Sequence, residues 1–240
     1  FTGFKKHLVD DQIIDQLYAG EDIFLDKEDG HFFPNEFIML VSSSNEKKTA
    51  LCLFKHPSQK LAPLLEYKKK GVWGVKSRNK EQLFALNLLF AEDVPLVSIT
   101  GLAGSGKTFL TLMAGIAGLQ EGKYKRIVVT RNVQPVGRDI GFLPGDMNEK
   151  MLPWMSPIMD NFRHAFGDLS YFEAMMQKGQ IDIAPLSYIR GRTFNDSFVI
   201  VDEAQDLSPI QWKMFNIIKE NSKYVILAGD DDQAIYGWAG

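Results

Sequence analysis

The segment Gly101-Leu102-Ala103-Gly104-Ser105-Gly106-Lys107-Thr108 constrains this chain more than any other, because of what flanks it. An apolar run over 95–100 leads straight into it, and helical apolar spacing over 109–120 leads straight out. Strand, glycine-rich turn and helix form the setting in which the pattern G-x-x-x-x-G-K-[ST] makes a phosphate-binding loop. Glycines let successive backbone N–H groups turn inward on phosphate oxygens, at the positive end of the following helix. Lys107 then reaches the β- and γ-phosphates, and the Thr108 hydroxyl can ligate Mg²⁺. The four fixed positions arise by chance in roughly one chain of this length in a hundred. A glycine-rich turn without a ligand is the alternative, and the flanking elements argue against it.

Two further strand ends carry acids. The apolar run Phe198–Val201 ends in Asp202-Glu203-Ala204-Gln205. Beside a phosphate loop, Asp202 is expected to hold the metal ion and Glu203 to orient or deprotonate an attacking water. The run over 224–228 ends in Gly229-Asp230-Asp231-Asp232-Gln233. Gln233 is the candidate for contact with the γ-phosphate or the water. A Gly-Asp turn closing a strand is the plainer reading there. Upstream, Asn79 and Gln82 offer carboxamides with paired donor and acceptor groups, suited to an adenine edge. ATP with Mg²⁺ is the implied ligand set.

Periodicity gives the fold class. Helical spacing over 80–91, 109–120, 148–165, 170–178 and 208–219 alternates with short apolar runs over 95–100, 127–130, 198–201 and 224–228. Such alternation implies βαβ units and a parallel sheet covered on both faces, an α/β fold. Residues 1–60 read differently. Ile23–Leu25, Glu36–Val41 and Ala50–Phe54 are short apolar runs between polar turns, so a small β-rich unit is expected there. A linker rich in Pro, Lys and Gly follows over 57–74, which sets expected bounds of 1–70 and 71–240. The connection over 131–147 is long for a compact domain and reads as functional.

Composition excludes other classes. The chain has 240 residues, 45% hydrophobic and 24% charged, which rules out disorder and low complexity. No apolar run reaches the roughly 18 residues a membrane helix needs, and no membrane partner is expected. A single cysteine, Cys52, excludes a disulfide framework or multi-cysteine metal site and fits a reducing cytoplasm. His31 and His56 are isolated and read as surface residues. The chain opens Phe-Thr-Gly, without Met or a signal-peptide pattern, and is expected to be a piece of something longer. Net charge is −3, yet six of the seven arginines fall between 126 and 192. Arginine suits bidentate phosphate contacts, so that stretch is where phosphate is sought.

These motifs carry a family resemblance. The stretch from about 72 to 230 resembles the PhoH-like ATPases, with the phosphate loop, Thr130-Arg131 and Gly141-Phe142-Leu143-Pro144-Gly145-Asp146. It continues through Glu149-Lys150, Ile183–Leu186, Ile189-Arg190-Gly191-Arg192-Thr193 and Asn195-Asp196 to Asp202–Gln205. The resemblance implies a RecA-like ATPase fold, ATP hydrolysis, and coupling to a single-stranded nucleic acid, RNA in preference to DNA. It also implies an N-terminal PIN nuclease domain in a parent chain. Arg131, Arg190 and Arg192 are candidates for phosphate contact, on nucleic acid or on ATP across a subunit interface. A single lobe with no arginine finger in cis suggests a ring-like homo-oligomer supplying one in trans.

The end of the chain, Gly229–Gly240, is closer to motif III of superfamily 1 helicases of the UvrD/Rep type. There, Tyr236 and Trp238 are candidates for stacking on bases, with burial at a strand end the equal alternative. Those helicases usually carry arginine where this chain has Ala239. Two other readings therefore stand beside the first: the leading lobe of a superfamily 1 DNA helicase, and a nucleotide-dependent switch without unwinding activity.

Overall fold

Two neighbouring parallel strands cannot be joined by a hairpin and need a crossover. In the N-terminal part that crossover includes a helix which periodicity did not announce. The structure, a computed structural model, describes residues 4–25, 30–64, 76–131, 147–186 and 193–230. The described elements fall into two units, the first holding residues up to Leu64 together with Asn79–Asn87, the second the remainder.

The first unit is a five-stranded sheet built from β1 (Phe4–Val9), β2 (Ile23–Phe24), β3 (Phe37–Ser42), β4 (Thr49–Lys55) and β5 (Lys60–Pro63). Its order is β1-β3-β4-β5-β2, with β1 and β3 parallel and the other pairs antiparallel. Helix α1 (Asp11–Ala19) lies between β1 and β2 in the chain. It corrects the expectation of strands alone. Only Ile14 and Leu17 of its nine residues are buried, so its apolar stripe is narrow. Its clearest signal is the end: Gly20 takes φ 84°, and the N–H groups of Gly20 and Glu21 donate to Leu17 O and Gln16 O. Ile14, Leu17, Ile38, Leu40, Cys52, Phe54 and Leu61 form the core. Burial there pushes the Cys52 thiol up to about 12. Strand β5 lies inside the stretch expected to be linker, and β1 was not anticipated. Helix α2 (Lys80–Leu89) brings Phe84 onto Phe37, rings stacked 4.2 Å apart.

The second unit carries β6 (Leu96–Thr100), α3 (Lys107–Gln120), β7 (Arg126–Arg131), α4 (Met147–Phe166), α5 (Ser170–Gln177), β8 (Ile181–Pro185), β9 (Ser197–Asp202), α6 (Pro209–Glu220) and β10 (Tyr224–Gly229). Its sheet has the order β6-β10-β9-β7-β8, and every pair is parallel. This is the expected α/β fold, with β8 added at the edge. Strand β8 escaped notice because its middle residues are only half-buried.

Alternation along the strands assigns the faces. Val128, Val199, Val201 and Val225 meet Phe215 and Ile218 of α6 on one side. A capping box starts α6, with Ser208 N–H donating to Gln211 Oε1 at 2.8 Å. On the other side α3 lies unusually close. A Cβ at Gly115 would stand 3.1 Å from the Phe198 ring and 3.3 Å from Ile127. A Cβ at Gly118 would collide with Tyr124, 2.8 Å from Cζ and closer still to Oη. The Tyr124 hydroxyl is itself buried and donates to Gly115 O at 2.7 Å.

Gly118→Ala is therefore expected to overpack the unit by about 1–3 kcal/mol. A melting curve several degrees below wild type checks this; an unchanged curve would contradict the close seat of α3.

Candidate functional site

In a parallel α/β sheet, ligands bind beyond the carboxyl ends of the strands. Thr100, Gly229, Asp202 and Arg131 end four adjacent strands here, in that order across the sheet. Pairing puts Thr100 opposite Gly229 and Arg131 opposite Asp202. The phosphate loop and the acid pair thus sit at one edge, with β10 between their strands.

The loop has the backbone its glycines allow. Gly104 and Gly106 take φ 74° and 88°, left-handed values that favour glycine, and Gly106 opens α3. Ser105 N–H donates to Leu102 O at 3.2 Å, closing the turn. Lys107 curls over the loop, its ammonium donating to the carbonyls of Gly101 and, at 3.1 Å, of Leu102. One turn further, Thr111 is buried but satisfied, donating to Lys107 O at 3.1 Å and Thr108 O at 2.9 Å.

Thr108 faces the second motif directly. Its hydroxyl donates to Asp202 Oδ1 at 2.9 Å, joining residues 94 positions apart. Asp202 is only 4% exposed. Burial raises its carboxyl above the usual carboxylate range, while Arg131 and the Thr108 hydrogen bond pull it back. A buried carboxylate beside a hydroxyl is a hard-oxygen pair that a divalent cation would compensate, so Thr108 and Asp202 fit Mg²⁺.

Glu203 has a strained backbone. Its φ of 52° and ψ of 46° are left-handed, at the start of the short 3-10 turn Ala204–Asp206. Such a conformation in a non-glycine residue costs on the order of 1–3 kcal/mol and tends to mark functional sites. The carboxylate is held from both sides. Arg131 donates to Oε1 at 3.1 Å, and Gln205 Nε2 donates to Oε2 at 2.8 Å.

Gly101, Leu102, Ala103, Gly104, Ser105, Gly106, Lys107, Thr108, Asp202 and Glu203 thus share one edge, and Arg131 is there too. Arg131 was expected to contact phosphate; in this structure Glu203 engages its guanidinium. Gln82 falls in α2 of the first unit, where its N–H caps onto Asn79 Oδ1 at 2.8 Å. Arg190, Arg192, Gln233, Tyr236, Trp238 and most of the 131–147 connection lie outside the described residues. Nothing in the sequence singles out Gln205 as a partner of Glu203 or Arg131 as its counter-ion. The strand register that opposes Arg131 to Asp202 is the feature that reveals the latter.

Asp202→Asn and Thr108→Ala are expected to weaken Mg²⁺-dependent nucleotide binding, whereas Glu203→Gln should bind like wild type. Titration with a fluorescent nucleotide, with and without EDTA, separates them; equal losses in all three would refute the division.

Comparisons with known proteins bear on the same region. The family model described as PhoH-like protein matches residues 74–235. Protein PhoH2 of Bacillus subtilis (strain 168) is 36% identical over 241 residues, covering 97% of this chain and 54% of that protein. A PhoH-like protein of the same organism is 41% identical over 138 residues, 58% of this chain and 43% of its own length. Protein PhoH of Escherichia coli (strain K12) is 37% identical over 161 residues, 66% of this chain and 45% of that protein. The chain therefore spans about half the length of these relatives. No helix among the described residues is long and apolar enough to cross a membrane. With the loop and acid pair brought together inside the matched stretch, the chain belongs to the PhoH-like protein family.

Proposed function

We propose that this chain hydrolyses ATP and couples hydrolysis to a single-stranded nucleic acid, RNA in preference to DNA. The observation that carries the hydrolytic part is the 2.9 Å contact of Thr108 with Asp202 beneath a phosphate loop, with Glu203 next in the chain. The nucleic-acid part rests on the family resemblance and on the arginine-rich stretch between 126 and 192.

The loop N–H groups and the Lys107 ammonium bind the β- and γ-phosphates and offset their charge. Lys107 must exchange its loop carbonyls for phosphate oxygens, which a flexible four-carbon stem permits. Mg²⁺, held by Thr108 and Asp202, would supply further charge compensation on the phosphate oxygens. Glu203 takes the proton of an attacking water. The water oxygen bonds to the γ-phosphorus, the bond to the β,γ-bridging oxygen breaks, and ADP and phosphate leave. Arg131 and Gln205 each occupy one carboxylate oxygen of Glu203, and each oxygen keeps a second lone-pair position for the water.

An adenine contact by Gln82, a phosphate contact by Arg190 or Arg192 within a ring of copies, and base stacking by Tyr236 and Trp238 complete the reading. Each is a proposal from sequence. So is a PIN nuclease domain elsewhere in a parent chain.

Steady-state ATPase assays with and without single-stranded RNA and DNA test it. Hydrolysis is expected with Mg²⁺, stimulated several-fold by RNA and less by DNA, and absent in Lys107→Ala with an unchanged melting temperature. Hydrolysis by Lys107→Ala at the wild-type rate would overturn the site. Hydrolysis indifferent to either nucleic acid would leave a nucleotide switch instead.

A further inference from the structure

Gln205 is a carboxamide used at both ends. Its Nε2 donates to Glu203 Oε2 at 2.8 Å, and its Oε1 accepts the backbone N–H of Asp230 at 3.0 Å. That N–H belongs to the first residue beyond β10, so one side chain spans the ends of β9 and β10. A carboxamide carries donor and acceptor on one planar group, and Asn is a methylene shorter than Gln.

The neighbouring residue keeps room for this bridge. A Cβ at Gly229 would stand 2.7 Å from Gln205 Oε1 and 3.3 Å from its backbone nitrogen. Gly229 is not among the residues with positive φ, so space rather than backbone conformation is what calls for glycine there. Arg131 completes the arrangement from β7, at 3.1 Å on the other oxygen of Glu203.

We infer that Gln205 is a positioning residue for Glu203, tying its carboxylate to the end of β10 through the space left by Gly229. The inference rests on the hydrolytic reading above. Glu203 sits on strained backbone, and among the described residues Arg131 is the other partner of its side chain. Gln205 supplies the second point that a planar carboxylate needs to hold its orientation. It also makes that orientation depend on where the β10 end lies.

The test is a set of variants of the whole chain: Gln205→Ala, Gln205→Met, Gln205→Glu, Gly229→Ala, the double Gln205→Ala/Gly229→Ala, and Glu203→Gln alone and with Gln205→Ala. Single-turnover hydrolysis at saturating Mg·ATP, nucleotide affinity and melting temperature are measured for each. Gln205→Ala and Gln205→Met should slow hydrolysis about tenfold or more, the loss typical when an outer partner of a working group is removed. Gln205→Glu keeps the acceptor but sets a second carboxylate against Glu203, and should be as slow. Nucleotide affinity should stay within twofold and the melting temperature near wild type.

Gly229→Ala should show the same slow turnover and add little to Gln205→Ala, because both break one bridge. Gln205→Ala should add nothing to Glu203→Gln, because the two act as a unit. Turnover at the wild-type rate in Gln205→Ala or Gln205→Met, with Glu203→Gln inactive, would overturn the inference and leave the hydrolytic reading standing. So would full multiplication of the Gly229→Ala and Gln205→Ala losses. A wild-type chain that hydrolyses no ATP would overturn both.

Discussion

How closely α3 lies on the sheet decides whether the two motifs of the site can meet. The helix touches β9 at two levels, Gly115 against Phe198 and Thr108 against Asp202. Thr108 and Gly115 are seven residues apart on a helix that rises about 1.5 Å per residue, or about 10 Å. Phe198 and Asp202 are four residues apart on a strand that rises about 3.3 Å per residue, or about 13 Å. The two spans nearly agree, so a helix lying alongside β9 satisfies both contacts together. Bulk at Gly115 or Gly118 would lift it and lengthen the 2.9 Å Thr108–Asp202 contact. Packing in the core and metal-ligand geometry are therefore one constraint.

Charge at this edge is then arranged around the buried carboxylate of Asp202. Asp202 is nearly sealed, and burial disfavours its ionised form. Arg131 and Thr108 oppose that shift, and a metal ion would do so more strongly. Arg131 serves twice: its register opposite Asp202 puts it near that carboxylate, and its guanidinium donates to Glu203. The strain at Glu203 belongs with this arrangement. The left-handed turn ends β9 abruptly, and hydrogen bonds from Asp206 N to Glu203 O and Leu207 N to Ala204 O hold it.

Much of this was legible in the residues, and the exceptions have physical causes. The phosphate loop stands out because its chemistry demands glycine, lysine and a hydroxyl at fixed spacing in a contiguous stretch. The strands β7, β9 and β10 stand out because they are buried on both faces and read as continuous apolar runs. Helix α1 did not, since two buried residues in nine leave little periodicity, and β8 did not, since its middle is half-exposed. The partners of Glu203 were beyond reach for a different reason. Arg131 lies 72 residues away and is delivered by strand register alone. Gln205 lies two residues away, yet its role depends on the end of β10, 25 residues further on.

The most direct measurement is a crystal structure of the chain with Mg²⁺ and a non-hydrolysable ATP analogue. Phosphates are expected on the N–H groups of Gly104–Thr108, with the Lys107 ammonium moved from the loop carbonyls onto them. The metal is expected beside Thr108 and Asp202, with Glu203 facing the γ-phosphate without ligating the metal. Nucleotide bound away from the carboxyl ends of β6 and β9, or a metal that ignores Thr108 and Asp202, would contradict this site.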